Sequence, residues 1–205
     1  LVNMPDIDEQ TLAGCLSTGT HGTGEQIGCM PTFVTGLQFV DARGELVQCS
    51  AERNREIFEA ARISLGALGV ITEVTLQNVA PYRLRRETVW RDMDEIFEIA
   101  ESLSGAHRNF EFYYVPFAGM CFTDVHDFTS EPVGSTEKID QNDGAQSLMK
   151  LRDMFEKWPR VREVILGSYM KTLSSEVTIE SSWKNYVSER NVRFNEMEYH
   201  LPREH

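Results

Sequence analysis

Thr11-Leu12-Ala13-Gly14-Cys15-Leu16-Ser17-Thr18-Gly19-Thr20-His21-Gly22-Thr23-Gly24 is a glycine- and threonine-rich run on which the reading of this chain turns. Glycine admits positive φ and lets a main chain approach a ligand that a Cβ would hold off. Consecutive N–H groups in such a loop form an anion-binding concavity, to which Thr18, Thr20 and Thr23 add hydroxyl donors. The same composition also makes plain turns between strands. The spacing is neither the P-loop, since no Gly-Lys-Ser/Thr follows, nor the Gly-x-Gly-x-x-Gly dinucleotide fingerprint. Residue chemistry alone leaves phosphate contact and a simple turn both open.

Working outward, Phe33 to Val40 and Gly44 to Ser50 flank Asp41-Ala42-Arg43-Gly44, a hairpin turn between two strands. Phe58, Ala61 and Leu65 recur at helical spacing, which predicts an amphipathic helix over residues 54–64. Val70, Thr72, Val74 and Leu76 alternate with Ile71, Glu73 and Thr75 along a half-buried strand. Pro81 marks a boundary. The cluster Arg83, Arg85, Arg86 with Glu87 reads as a solvated strand face. Asp92 with Glu95 forms a capping-box start, followed by a buried stripe of Met93, Ile96, Phe97, Ala100 and Leu103. Phe110, Phe112 and Tyr114 take one face of a strand, Glu111 and Tyr113 the other; such aromatic density can line a sugar pocket, but aromatics favour strands in any case and sheet packing is the reading taken. Residues 129–144 read as an exposed loop. Leu148, Leu151 and Phe155 form a helix stopped near Pro159, and Phe194, Glu196, Glu198 and His200 alternate along a final strand.

Two segments, taken together, carry a resemblance. Ser64-Leu65-Gly66-Ala67-Leu68-Gly69-Val70-Ile71-Thr72-Glu73-Val74-Thr75-Leu76 follows the glycine run by about 40 residues. The pair resembles the two signature stretches of the vanillyl-alcohol-oxidase type (VAO/PCMH-type) FAD-binding domain, in the branch of the gulonolactone, arabinonolactone and alditol oxidases. The likeness is continuous over residues 1–79. Beyond them it rests on Phe110-Glu111-Phe112-Tyr113-Tyr114-Val115-Pro116 and on Glu196-Met197-Glu198-Tyr199-His200-Leu201-Pro202-Arg203-Glu204.

The resemblance implies an α+β fold: residues 1–79 as the second half of the FAD domain, and residues 80–205 as the first part of a substrate domain with an antiparallel sheet flanked by helices. The loop from Cys15 to Gly24 would line the ribityl chain and pyrophosphate of FAD, with Thr20, Gly22, Thr23 and Gly24 nearest and Ile27 beside them. Val70 and Ile71 would offer main-chain groups to the ring edge or the adenine end. In the alditol branch a serine at the place of Cys15 touches the substrate hydroxyl. Cysteine is a poorer hydrogen-bond partner, so Cys15, still the expected substrate contact, leans the reading toward lactones. The complete protein would then be an FAD-linked oxidase or dehydrogenase of sugar lactones or polyols, passing electrons to oxygen or another acceptor. The family's flavin tether, its catalytic Glu/Arg strand and its His-Trp-Gly-Lys motif would lie outside residues 1–205, which makes the chain an internal fragment. A flavoenzyme of different chemistry and a non-catalytic carbohydrate-binding module are the alternatives.

Composition narrows the field further. The 205 residues are 41% hydrophobic and 25% charged, ordinary for a globular protein. A net charge of −12 argues against nucleic acid or an anionic membrane as partner. No stretch reaches the roughly 20 apolar residues of a membrane span. The four cysteines contain no C-x-x-C pair and read as reduced, in a cytoplasmic setting. The five histidines show no metal-ligand spacing. His21 is read as bracing the glycine turn rather than as a flavin tether or base, and Glu196 and Glu198, which on one strand face could supply a general acid or base, are read as solvated carboxylates.

Overall fold

The computed structural model describes residues 1–116, 118–135, 141–188, 195 and 197–202. Two antiparallel sheets organise it. The first, in the order β2-β1-β3, joins β1 (Val34–Val40), β2 (Leu46–Ser50) and β3 (Val70–Leu76). The second, in the order β5-β6-β4-β8-β7, joins β4 (Arg83–Asp92), β5 (Asn109–Val115), β6 (Met120–Thr129), β7 (Gly134–Ser135) and β8 (Glu176–Ser181). Helices α1 (Leu12–Thr18) and α2 (Arg55–Ala61) accompany the first sheet. Helices α3 (Met93–Ala106), α4 (Gln141–Met154), α5 (Pro159–Met170) and α6 (Ser182–Tyr186) accompany the second.

The β1–β2 hairpin forms as expected. Asp41 organises its turn, accepting from the Arg43 and Glu45 main-chain N–H groups at 2.9 and 3.0 Å, and Gly44 takes φ 79°. In β3 the simple alternation breaks. Gln38 opposes Glu73 and Phe39 opposes Ile71, so Thr72 is an extra residue, a β-bulge. The bulge lets Ile71, Val74 and Leu76 all pack on the first core, built from Leu16, Met30, Val34, Leu37, Phe39, Cys49, Phe58 and Ala61. Leu65 does not join that core: α2 ends at Ala61, and Leu65 sits in a left-handed turn, 76% exposed.

Several other expectations change. The glycine run opens in a helix, not a loop. Thr11 caps α1 by accepting from the Gly14 N–H at 3.2 Å, and Gly19 at φ 74° ends it, so the loop proper starts there. Asp92 takes the N-cap position of α3 without a side-chain bond, and Glu95 pairs with Arg91 one turn earlier instead of reaching back to the cap. Of the α3 stripe, Ile96 is fully buried while Phe97 is 74% exposed. Pro159 opens α5 at its first position rather than merely ending α4, where its missing N–H costs nothing. The expected loop 129–144 contains β7, and its end is already helical from Gln141; residues 136–140 lie outside the described residues. No strand forms over Met197–Leu201; Phe194 and Glu196 lie outside the described residues.

In the second sheet, strand alternation puts Leu84, Arg86, Thr88 and Trp90 on one face with Phe122, Asp124 and His126 of β6 and Asn109, Glu111 and Tyr113 of β5. Arg86 is therefore not part of a solvated face; only Arg83 and Arg85 point the other way with Glu87. At one end of the sheet, Met120 packs with Leu166 and Met170 of α5.

Candidate functional site

The glycine loop and the polar face of the second sheet wall a cavity of about 750 Å³. Thr18, Gly19, Thr20, His21, Gly22 and Thr23 form one side, and Glu111, Tyr113, His126 and Tyr186 form the other. Asp6 and Gln10 come from the first residues of the chain, and Glu198 and His200 from the last described ones.

The loop is held from behind by amides. The Thr23 carbonyl accepts from Asn3 at 2.8 Å and from Asn109, and Asn109, wholly buried, also donates to the Asn3 side chain at 3.3 Å. Arg108 donates to the Asn109 side-chain oxygen at 2.7 Å, to the Tyr186 hydroxyl at 2.8 Å and to the Val2 carbonyl. Its guanidinium also lies 4.8 Å from the Phe128 ring centre. Two glycines are demanded by this packing. A Cβ on Gly22 would stand 2.2 Å from the Met4 carbonyl oxygen, and one on Gly24, at φ 119°, 2.7 Å from that of Arg108.

Electrostatics set the sheet side. Asp124, 0% exposed, accepts from both Arg86 and Thr88. Burial and the Asp124 charge push the neighbouring Glu111 carboxyl up to about 7. Burial and the Arg86 charge press the His126 imidazole down to about 4. Burial also pushes the Tyr186 phenol well above its ordinary range. At the mouth, His21 contacts the Gly22 carbonyl at 3.0 Å and the Glu198 carboxylate at 2.7 Å. Burial opposes its charge, but those two partners hold the imidazolium above its usual value. His200 stands 3.6 Å from the same carboxylate, so the ligand atoms of His21, Glu198 and His200 gather within 4.8 Å of one another. Sequence spacing hid that trio because His21 lies 177 residues before Glu198.

Of the residues singled out from sequence, Thr20, Gly22 and Thr23 stand together on the cavity wall. Gly24 and Ile27 lie just behind it, the Ile27 N–H donating to the Gly24 carbonyl at 3.1 Å. Cys15 is buried behind the cavity wall, its thiol 3.6 Å from the Gln10 side-chain oxygen and its carbonyl accepting from the Thr20 N–H at 2.9 Å. Val70 begins β3, 71% exposed opposite Val40, and Ile71 packs on the first core; neither lines the cavity. The four cysteines form no disulfide. Sequence reasoning did not select Asn109, Asp124 or His126. The available signal was the alternate placement of Asn109 and Glu111 along β5 and of Asp124 and His126 along β6.

Comparison with known proteins follows the same lines. The profile of the D-arabinono-1,4-lactone oxidase family matches residues 74–205, which include both of the short stretches that carried the resemblance beyond residue 79. The L-gulono-1,4-lactone dehydrogenase of Mycobacterium tuberculosis is 31% identical over 208 aligned positions, all of this chain and 48% of that protein. The L-gulonolactone oxidase of Bos taurus is 33% identical over 136 residues, 66% of this chain and 31% of that protein. The chain thus spans about half the length, or less, of the curated relatives it matches. Among solved structures, a cholesterol oxidase from Brevibacterium sterolicum superposes with a TM-score of 0.62 at 17% identity, over 90% of this chain and 40% of that one. A chitooligosaccharide oxidase superposes with a TM-score of 0.58 at 14% identity, over 94% of this chain and 38% of that one. These likenesses speak for the fold alone, and it is the α+β arrangement expected from the sequence. No helix among the described residues is long and apolar enough to cross a membrane. With the family profile covering most of the chain, and a relative aligned along all of it, the chain belongs to the D-arabinono-1,4-lactone oxidase family.

Proposed function

We propose that the protein containing this chain is an FAD-dependent oxidoreductase that oxidises a sugar 1,4-lactone or related polyol at a CH–OH carbon. The observation that carries the reading is the cavity between the glycine loop and the sheet. Its loop wall is made of glycine, threonine and one histidine, small enough for a flat group to lie against, and its far wall is polar and suited to a hydroxylated molecule. The residues present fit the cofactor: threonine hydroxyls and a glycine-rich main chain are suitable partners for phosphate and ribityl oxygens.

FAD, when bound, supplies the hydride acceptor. Thr20, Gly22, Thr23 and Gly24 would hold it along the loop, with Ile27 supporting the loop from behind. Val70 and Ile71 would contribute main-chain groups at the ring edge or adenine end. Cys15 would influence the substrate through Gln10. In this reading residues 1–79 belong to the cofactor half and residues 80–205 to the substrate half, and the electron acceptor is oxygen or another oxidant.

The test is direct. The full-length protein should purify yellow, and its flavin band should bleach anaerobically when L-gulono-1,4-lactone or D-arabinono-1,4-lactone is added. A colourless protein that refuses added FAD would overturn the reading and favour a carbohydrate-binding module.

A further inference from the structure

Three donor side chains converge at the mouth of the cavity, and the ion pair between His21 and Glu198 uses only two of them; the third is His200. A carbonyl oxygen only accepts, so Nδ1 of His21 carries the hydrogen in its 3.0 Å bond to Gly22. That bond fixes the ring and aims Nε2 at the Glu198 carboxylate, 2.7 Å away. An imidazole nitrogen and a carboxylate oxygen come that close around a shared cation, which is either a proton or a metal ion. Metal-ligating histidines are held in the same way, the second ring nitrogen donating to a main-chain carbonyl or a carboxylate.

His200 distinguishes the two cations. Its Nε2 stands 3.6 Å from the same Glu198 oxygen, and its ring lies edge-on to that of His21 with centres 5.4 Å apart. A shared proton has no use for this third donor, whereas a metal ion does. Zinc sits about 2.0–2.2 Å from imidazole nitrogen and carboxylate oxygen, so two of its tetrahedral ligands stand about 3.3 Å apart. The observed separations of 2.7 and 3.6 Å fall on either side of that value, and no pair in the trio exceeds 4.8 Å. Shifts of about 0.6 and 0.3 Å correct the first two pairs, and one of at most about 1.5 Å corrects the third. The three side chains are 38%, 54% and 78% exposed, so rotation alone can supply those movements. Charge favours a cation as well: among the described residues lining the cavity there is no lysine or arginine, whereas Asp6 and Glu198 bring carboxylates.

We propose that His21, Glu198 and His200 form a binding site for a divalent transition-metal ion such as Zn²⁺. Two imidazoles and one carboxylate are a ligand set that zinc accepts, and three protein ligands leave its fourth position to water or to an oxygen of a molecule in the cavity. Magnesium and calcium, which take oxygen ligands, find only one such ligand in the trio. The bound ion ties residues 198–200 to the glycine loop. Nothing in this site depends on the flavin reading.

Calorimetric titration of Zn²⁺ into the full-length protein, stripped of metal beforehand with a chelator, tests this. One ion binds per chain, and Glu198→Gln and His200→Ala, both on exposed side chains, each weaken it at least about tenfold, since even a supporting group around a metal is worth about 10–100-fold. Mg²⁺ in about hundredfold excess leaves the Zn²⁺ affinity unchanged. Anomalous scattering at the zinc edge, from crystals soaked in Zn²⁺, places the ion among His21, Glu198 and His200. An absence of saturable uptake, an affinity unchanged in either variant, displacement by Mg²⁺, or an anomalous peak only elsewhere would overturn the proposal. A colourless protein that still binds Zn²⁺ at the trio keeps this inference and sinks the oxidoreductase reading. A yellow protein that a lactone bleaches but that takes up no Zn²⁺ does the reverse.

Discussion

Replacing Asp124 with alanine removes the carboxylate that Arg86 and Thr88 share beneath the cavity. Asp124 is 0% exposed and the Arg86 side chain 18%, so the guanidinium is left with little water to replace its partner. Removing one member of a buried pair costs about 3–5 kcal/mol, and an orphaned Thr88 hydroxyl adds about 1 kcal/mol. Glu111, next to the pair, recovers part of this by ionising toward Arg86. A net loss of about 3 kcal/mol is expected, which at roughly 2 kcal/mol per M lowers the urea midpoint by about 1.5 M. Tryptophan fluorescence reports it, since Trp90 lies on the same face, its ring 5.1 Å from Phe122. The paired replacement Arg86→Met with Asp124→Leu should restore most of the loss, because an apolar pair leaves no bare charge. In Asp124→Ala the Glu111 carboxyl should also titrate below its wild-type value of about 7, since one of the charges raising it is gone. A midpoint shift under about 0.5 M, or a double variant as unstable as both losses combined, would refute this account.

Three further outcomes follow from the same geometry. Glu111 holds its proton more tightly when folded, so it stabilises below pH 4.5 and that contribution fades as pH rises through about 7. His126 does the reverse: its contribution is full above 6.5 and fades as pH falls through about 4. Each is worth roughly 3 kcal/mol, and between pH 4.5 and 6.5 they oppose each other. Denaturation midpoints should thus rise with pH in Glu111→Gln and fall with pH in His126→Gln; parallel profiles would count against both assignments. Gly22→Ala forces a methyl against the Met4 carbonyl and should cost roughly 2–4 kcal/mol, seen as a melting temperature about 5–10 °C lower. Asn109→Ala, which unties Thr23, Asn3 and Arg108 together, should weaken FAD binding about tenfold in a fluorescence titration. Unchanged affinity would mean the loop keeps its shape without that amide.

Local periodicity made much of the architecture legible. The Asp41–Gly44 turn, the strands on either side of it and the alternation of Phe110 to Tyr114 depend on neighbours within a few residues. Where tertiary packing decides, the sequence misleads. The Thr72 bulge redirects half of β3 toward the core, and Arg86 reads as a surface charge until Asp124 is found beside it, 38 residues on. Likewise Leu65 keeps a helical spacing to Phe58 that α2 is too short to honour. The glycine loop was visible as a loop of interest, but the reason for Gly22 was not. Its missing side chain makes room for the Met4 main chain, not only for a guest. The far wall of the cavity was invisible because Glu111, Tyr113, His126 and Tyr186 come from β5, β6 and α6, about 90 to 165 residues beyond the loop.

Thr23 hangs between Asn3 and Asn109, and Gly24 presses on the carbonyl of Arg108, so the first residues, the loop and β5 share one knot. Anyone building chimeras from two relatives inherits that knot. A crossover placed at Pro81 looks clean along the chain, yet it pairs one parent's asparagine at position 3 with the other parent's strand. Recombination libraries should exchange residues 1–6, 22–24 and 108–109 as a single block. Otherwise a transplanted sheet arrives with the glycine loop of its new host out of register.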